Sequence, residues 1–441
     1  MRPLLLTLGF WLIPASVVAQ NVQAFATDSI PAHLDSVVTR SRKDTTIQTL
    51  KQPGVIIWTT KYANRGHLRD SLAVWCTKSC RWEWDGVVEM PDSGDAPLAV
   101  SPVWGVDSIH APAVWAMGYT GQGVKVASLD SGIDPNHPGY VVGGGYNAIT
   151  NESGTNFQDD ISQCTGHGTH VGGTMADRTG RGVAPGSTLY GLKVFEVVNG
   201  QCLSYTSRQI SALNYAVNNN IRAVNISIGG TNNSIAYQEA ITRAWIAGIV
   251  IGAANGNSGS TPALMPGRAD SLLGVASVNQ QLQRSGFSNY GPTTDLSAPG
   301  EGIESTLPGG GYGQKSGTSM ATPHVVAAAV LVMSAEPTIS GDSVMQPLRL
   351  SALPLGAQPN DYTGWGLVRP DRAIALARGG VWVAGPVQDT VRVYGEKCYP
   401  MVSTRPYTVG VTAGVQWRQV GESVCLTLTE STPRDIRITV Q

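Results

Sequence analysis

Gly317-Thr318-Ser319-Met320-Ala321-Thr322-Pro323-His324-Val325 decides how this chain reads. A Gly-rich turn, Pro308-Gly309-Gly310-Gly311, precedes it, and an Ala- and Val-rich run from Val325 to Met333 follows it. That layout predicts a tight turn opening into a buried helix. Ser319 falls at the cap, at the positive end of the helix dipole. Pro323 falls in the first turn, where proline is tolerated. Ala327-Ala328-Ala329 lets the helix lie close against a neighbour. A serine before a helix is usually only a cap. The rest of the chain gives this hydroxyl a second use.

Outward from the block, residues 101–377 alternate apolar runs with helical periodicities. The runs are Val124 to Leu129, Leu189 to Phe195, Ala223 to Ile228, Ile249 to Ala254 and Leu272 to Val278. Helical spacing appears at Ile210, Leu213, Ala216 and Val217, and again from Ile235 to Ala244. Short, nearly continuous apolar strands between helices predict an α/β fold, a parallel sheet with helices on both faces. Sites in such sheets lie beyond the carboxyl ends of the strands.

Three groups fall at such ends or in Gly-rich turns. Asp130 follows Val124 to Leu129, within Asp130-Ser131-Gly132-Ile133-Asp134. His167 lies in Cys164-Thr165-Gly166-His167-Gly168-Thr169-His170-Val171-Gly172-Gly173. Asn257 follows Ile249 to Ala254, within Gly256-Asn257-Ser258-Gly259. A hydroxyl is a weak nucleophile and needs an imidazole to take its proton. The imidazole needs a carboxylate to fix its tautomer and balance its positive charge. Asp130, His167 and Ser319 supply those groups, and the amide of Asn257 with the Ser319 N–H supplies donors for an oxyanion. His170 and His324 read as structural histidines, and Asp134 as a bond to the turn backbone. The His167–His170 spacing lacks the partner motif a metal would need.

These residues carry a family resemblance: the chain resembles the subtilisin-like serine peptidases. The matching blocks are Asp130-Ser131-Gly132, His167-Gly168-Thr169-His170-Val171, Ser227-Ile228-Gly229-Gly230, Gly256-Asn257-Ser258-Gly259 and Gly317 to Val325, within residues 104–378. The resemblance implies Asp130 as orienting carboxylate, His167 as general base and acid, Ser319 as nucleophile and Asn257 as oxyanion donor. It implies a substrate-pairing edge at Ser227, Ile228, Gly229 and Gly230, with Ala254 and Gly256 on the other wall of the specificity pocket. Leu203-Ser204-Tyr205 is a weaker match to a second pairing edge. No cofactor is implied for catalysis. A structural calcium is possible at Asp295, where some secreted relatives bind one. The short segment Met175 to Gly182 lacks the Asn-rich calcium loop of many relatives, and Asn255 stands where they usually have alanine. Cys164 and Cys202 fall where proteinase K-like and aqualysin-like members have a disulfide.

Beyond this domain the composition bounds the rest. The chain has 441 residues, a net charge of −1 and only 14% charged residues. That length supports more than one domain, and the near-zero charge argues against nucleic acid as a partner. Arg2, the apolar run Leu4 to Val18 and the small residues at Val17-Val18-Ala19 read as a signal peptide over 1–19 and predict a secreted protein, extracellular or periplasmic. No later stretch is read as a membrane span. Six cysteines suit an oxidising compartment. They allow 15 pairings; proximity suggests Cys76 with Cys80, Cys164 with Cys202, and Cys398 with Cys425.

Residues 20–100 are richer in charge, with strands expected at Val55 to Trp58 and Cys80 to Trp84, a helix at Asn64 to Val74 and a linker over 91–103. By position they read as an α+β propeptide, a transient inhibitor cut between Ala96 and Pro102 by the enzyme itself. Residues 101–378 read as the peptidase domain. Residues 379–441 alternate with period two, as a small β module does. The expected protein is a monomeric endopeptidase acting on proteins or peptides. A hydrolase of small esters and an inactive binding protein on the same fold are its rivals.

Overall fold

The computed structural model describes residues 103–378 except 155, 161–163 and 358, and beyond that range only the strands named below. The 1–19 signal, the Asn64 to Val74 helix, all but the last residue of the 91–103 linker, and Cys76 and Cys80 lie outside the described residues. The chain divides into two units, Met1–Gly86 and Val87–Gln441.

The first unit holds four strands: β1 (Gln20–Phe25), β2 (Thr49–Gln52), β3 (Val55–Thr60) and β4 (Arg81–Trp84). They form an antiparallel sheet in the order β2-β3-β1-β4. Strand β3 contains the predicted run Val55 to Trp58, and β4 covers all of the predicted run Cys80 to Trp84 but Cys80.

The second unit opens with β5 (Val87–Glu89), α1 (Trp104–Ser108) and α2 (Ala111–Ala116). Then come β6 (Lys125–Asp130), β7 (Val142–Asn147), β8 (Glu152–Ser153), α3 (His167–Ala176) and β9 (Thr188–Lys193). A hairpin, β10 (Glu196–Val198) and β11 (Gln201–Tyr205), leads into α4 (Thr206–Asn218), β12 (Ala223–Ile226), α5 (Ile235–Ile246) and β13 (Val250–Ala254). The body closes with β14 (Leu273–Val278), β15 (Leu296–Pro299), the hairpin β16 (Ile303–Leu307) and β17 (Gly311–Lys315), α6 (Thr318–Ala335), α7 (Asp342–Leu350) and α8 (Pro370–Ala377).

The central sheet has eight strands in the order β15-β14-β13-β12-β6-β9-β7-β8. All pairings are parallel except β7 with β8 at one edge. Every residue of β12 to β15 is buried, which is why those strands are mostly apolar, with Asn225, Ser277 and Ser297 the polar exceptions. Helices α3 and α6 pack on each other and on the sheet, while α4 and α5 do the same as a separate pair. The five predicted runs are β6, β9, β12, β13 and β14, and the α/β expectation holds.

Three details differ from the sequence reading. Gly317 is the N-cap of α6, so Ser319 is its second residue and Pro323 its sixth, inside the helix. The Gly-rich turn before the block is the tip of the β16–β17 hairpin. Helix α6 is also apolar and long enough to cross a membrane by length and composition, contrary to the expectation that no such stretch exists. Every one of its residues is buried in the body. A helix apolar all round is then the core element, with sheet on one side and helices on the others.

The last strands are β18 (Gln388–Val393), β19 (Glu396–Pro400), β20 (Val409–Gly410), β21 (Val415–Val420), β22 (Ser423–Leu428) and β23 (Arg434–Val440). They form two antiparallel three-stranded sheets, β18-β23-β20 and β19-β22-β21. Cys398 and Cys425 are direct partners in the β19–β22 register.

Candidate active site

Strand β6 ends on Asp130, which is fully buried. Helix α3 begins on His167, 2% exposed. The two are joined because α3 starts hard against the β6 edge: a Cβ on Gly168 would sit 2.0 Å from Gly132 O and 3.0 Å from Asp130 Cβ. Only glycine permits that approach. Asp130 Oδ1 then accepts from His167 Nδ1 at 2.8 Å and from Ser131 N–H at 2.7 Å. Nδ1 carries the proton in this arrangement, which leaves the Nε2 lone pair as acceptor. Nε2 has no hydrogen-bond partner among the described residues.

Ser319 Oγ donates to Ser227 O at 3.1 Å, not to His167. The third link of the expected chain is therefore open, as is common in sites without substrate. Ser227 Oγ accepts from Asn225 Nδ2 and donates to Ser319 O, both at 2.8 Å. The second bond has a cause in the helix. Residue 323 is the i+4 partner of Ser319, and as proline it has no N–H to give the Ser319 carbonyl. The Ser227 hydroxyl supplies the missing donor.

Asn257 is oriented by a residue the sequence reading passed over. Its Oδ1 accepts from both the N–H and the hydroxyl of Thr318, each at 2.8 Å. Thr318 Oγ1 in turn accepts the Gly256 N–H at 3.1 Å. With Oδ1 fixed as acceptor, Nδ2 is the free end of the amide, and it is buried without a partner among the described residues. The Ser319 N–H belongs to the first turn of α6, whose N–H groups have no intrahelical carbonyl. Two donors are thus held at the start of α6, where the Ser319 hydroxyl also lies.

The predicted walls are modified in one respect. Gly230 N–H and C=O both bond to Met265, at 2.8 and 2.9 Å, so Gly230 is not open to pair with a substrate backbone. The edge available for such pairing is Ser227 to Gly229. Ala254 ends β13 and is buried. The neighbouring Asn255 turns its amide inward, donating to Thr294 Oγ1 at 3.0 Å. Leu203 to Tyr205 already pairs, antiparallel, with Val87 to Glu89. A disulfide, Cys164–Cys202, ties β11 to the loop that precedes His167.

His170 Nε2–H donates to Ile303 O and Gly313 O, and burial lowers its pKa to about 3. His324 Nδ1–H donates to Met320 O, and burial lowers it to about 4. Asp134 accepts the N–H groups of Asn136 and Gly309. All three are the structural residues expected. Asp295 does not suit a calcium ion. Arg349 Nε donates to its Oδ1 and Gly274 N–H to its Oδ2, both at 2.8 Å. An arginine stands where the cation would be. No group of three or more His, Cys, Asp or Glu that could hold a metal occurs among the described residues.

Sequence reasoning missed Thr318, Ser131 and Asp159. Thr318 carried a signal, since it sits in the quoted block and could cap or hydrogen-bond locally. Asp159 carried none, because it meets the site's surroundings through a bond from Ser131, 28 residues away in sequence.

Residues 121–366 match the family model described as Subtilase family. The chain is similar to subtilisin of Bacillus pumilus, with 41% identity over 283 residues that cover 62% of this chain and 99% of that one. It is similar to subtilisin E of Bacillus subtilis (strain 168), with 40% identity covering 62% and 72%. It is also similar to the thermostable alkaline protease of Halalkalibacterium halodurans, with 38% identity covering 64% and 76%. With the parallel sheet and the family match over more than half its length, this chain belongs to the subtilase family and is a serine endopeptidase.

Proposed function

We propose that Asp130, His167 and Ser319 form the catalytic triad of this endopeptidase, with Asn257 as oxyanion donor. The observation that carries the reading is the 2.8 Å Asp130–His167 bond, which leaves His167 Nε2 as an open acceptor. Substrate binding displaces the Ser319 hydroxyl from Ser227 O. His167 Nε2 takes its proton as Oγ attacks the scissile carbonyl carbon, and Asp130 balances the imidazolium. The new oxyanion accepts from Asn257 Nδ2 and Ser319 N–H. The C–N bond breaks as His167 returns the proton to the leaving amine. Water, activated by the same imidazole, then releases the acyl group. No cofactor enters any step.

Ser227, Ile228 and Gly229 pair with the substrate backbone, and Ala254 and Gly256 form the opposite wall. None of these residues is charged, which suits an apolar or uncharged side chain before the cut bond. The protein is a secreted monomer, extracellular or periplasmic, made as a precursor. Residues 1–19 are its signal, 20–100 its propeptide and transient inhibitor, 101–378 the peptidase and 379–441 an appended β module. Pairing of Val87 to Glu89 with Leu203 to Tyr205 supports the inhibitor role, since it lays a segment from 20–100 along an edge of the peptidase body. The cut falls between Ala96 and Pro102.

Two experiments test this. Wild type hydrolyses casein far better than a short-chain ester, and Ser319→Ala hydrolyses neither. Equal casein hydrolysis by both proteins would overturn the assignment. N-terminal sequencing finds the wild type starting near residue 100 and Ser319→Ala near Gln20. Equal processing of both in a protease-free host would rule out self-cleavage.

A further inference from the structure

Behind the Asp130–His167 pair lies another carboxylate that the mechanism does not use. Asp159 is 7% exposed. Its backbone N–H is fixed on Ile133 O at 3.0 Å. Its Oδ1 accepts the Ser131 hydroxyl at 2.6 Å. Its Oδ2 accepts both the N–H and the hydroxyl of Thr169, at 2.7 and 2.5 Å. These two residues flank the pair: Ser131 follows Asp130, and Thr169 lies two residues after His167. Ser131 also bonds to both sides, its N–H to Asp130 Oδ1 and its Oγ accepting the Gly168 N–H at 2.9 Å.

We propose that Asp159 is a positioning residue for the reaction: ionised, it holds the Asp130–His167 pair in working geometry through Ser131 and Thr169. This deepens the triad reading and rests on it. The Ser131 hydroxyl has one proton. While Asp159 is ionised, that proton lies on Asp159 Oδ1. Its next acceptor is Asp130 Oδ1, 3.3 Å away. A protonated Asp159 no longer needs the Ser131 proton, which then turns to Asp130 Oδ1. That oxygen is the one that receives His167 Nδ1–H, so the two donors compete. The imidazolium loses part of its counter-charge, and proton transfer from Ser319 slows.

Burial raises the Asp159 carboxyl to about 6; donation from Ser131 and Thr169 pulls it down, and the Asp130 charge pushes it up again. The titratable groups that share a charge interaction with Asp159 are Asp130 at the end of β6, Tyr140 in the segment after it and Lys193 on β9. Of these Lys193 is the cation, and its Nζ donates to Gln158 O at 2.8 Å.

The test is the acid limb of log kcat/KM against pH, measured with an uncharged chromogenic peptide on enzyme counted by active-site titration with a sulfonyl fluoride. Protonation of the catalytic base alone gives a limb with a slope of one. Asp159→Asn keeps the side-chain shape but cannot titrate; it stands in for the protonated carboxyl, its limb has a slope of one, and its kcat/KM at pH 8 falls about tenfold. Protonating Asp159 in the wild type therefore adds a further tenfold loss, and the limb is steeper than one near pH 6. Ser131→Ala breaks the link while leaving Asp159 to titrate, so it also gives a slope of one throughout, and it serves if Asp159→Asn does not fold. A wild-type slope of one throughout, or the steep segment kept by either variant, overturns the proposal. Wild-type hydrolysis by Ser319→Ala would instead overturn the triad reading beneath it.

Discussion

Ser227 and Ser319 exchange hydrogen bonds: the Ser319 hydroxyl donates to Ser227 O at 3.1 Å, and the Ser227 hydroxyl donates to Ser319 O at 2.8 Å. The first bond parks the proposed nucleophile on the proposed substrate-pairing edge. The second repairs the gap that Pro323 leaves in the α6 ladder. One residue thus serves the helix and the cleft together.

Ser227→Ala should cost about 1–3 kcal/mol of stability, because Ser319 O and Asn225 Nδ2 are left buried without partners. Pro323→Ala restores an N–H to the Ser319 carbonyl. In that background the Ser227→Ala cost should shrink by about 1 kcal/mol. Urea unfolding of the four proteins of the cycle measures it, and additive costs would contradict the account.

Thr318→Val removes the hydroxyl that holds Asn257 Oδ1 and accepts Gly256 N–H. The Asn257 amide then keeps only its bond from the Thr318 N–H and is held less firmly, and kcat should fall about tenfold with KM little changed. Asn257→Ala should cost on the order of 10²–10³ in kcat, a magnitude measured on subtilisin itself. A Thr318→Val enzyme with wild-type kcat would show that the Thr318 hydroxyl orients nothing.

Acid should destabilise the fold before it protonates most carboxylates. His170 and His324 are buried with pKa values lowered to about 3 and 4, against 6.5 for a free imidazole. Below 6.5 the unfolded chain binds protons that the folded chain refuses. Stability from these two groups is present above 6.5 and is lost as pH falls, at about 1.4 kcal/mol per pH unit for each. Asp159 has the opposite sign. Its raised pKa makes its contribution full below 3.8 and lost as pH rises through about 6, so it offsets part of the loss. Denaturant midpoints at pH 7 and pH 5 should differ, and His170→Gln should flatten the difference. A midpoint unchanged between those values would refute the assignment.

Chelation should leave the Asp295 region intact, because Arg349 is its partner. The ion pair is only partly exposed, at 17% and 22%. Burial raises the Asp295 carboxyl and Arg349 pulls it back down. Arg349→Met should therefore cost about 1–3 kcal/mol at neutral pH and less at pH 4, where the stranded carboxyl takes up a proton. The effect of EDTA or added calcium on thermal inactivation rates should be the same for the wild type and Arg349→Met. A calcium-dependent gain that Arg349→Met abolishes would restore a metal to this position.

The sheet was legible where burial on both faces made the strands apolar, as in β6 and β12 to β14. It was not legible in β7, whose Val-Gly-Gly-Gly-Tyr-Asn has few side chains to show a period. Gly145 there cannot be larger, because a Cβ would meet Gly191 O and the Phe157 ring at 2.4 Å. Strand β15 was hidden by Pro299 in a four-residue edge strand. At the site, Asp130, His167, Asn257 and Ser319 could be proposed because their chemistry is visible one residue at a time. Thr318, Ser131 and Asp159 enter only through hydrogen bonds to distant neighbours. Those bonds appear only when a strand end, a helix start and a distant loop are brought together.

The most direct measurement is where an electrophile lands. Phenylmethylsulfonyl fluoride reacts with a serine only when a base removes its proton, so it reports the assembled site without any substrate. Peptide mapping by mass spectrometry should find one adduct per molecule, on Ser319. His167→Ala should remove it, and Asp130→Asn should slow its formation by orders of magnitude. An adduct on another serine, or equally fast labelling of Ser319 without His167, would contradict the account.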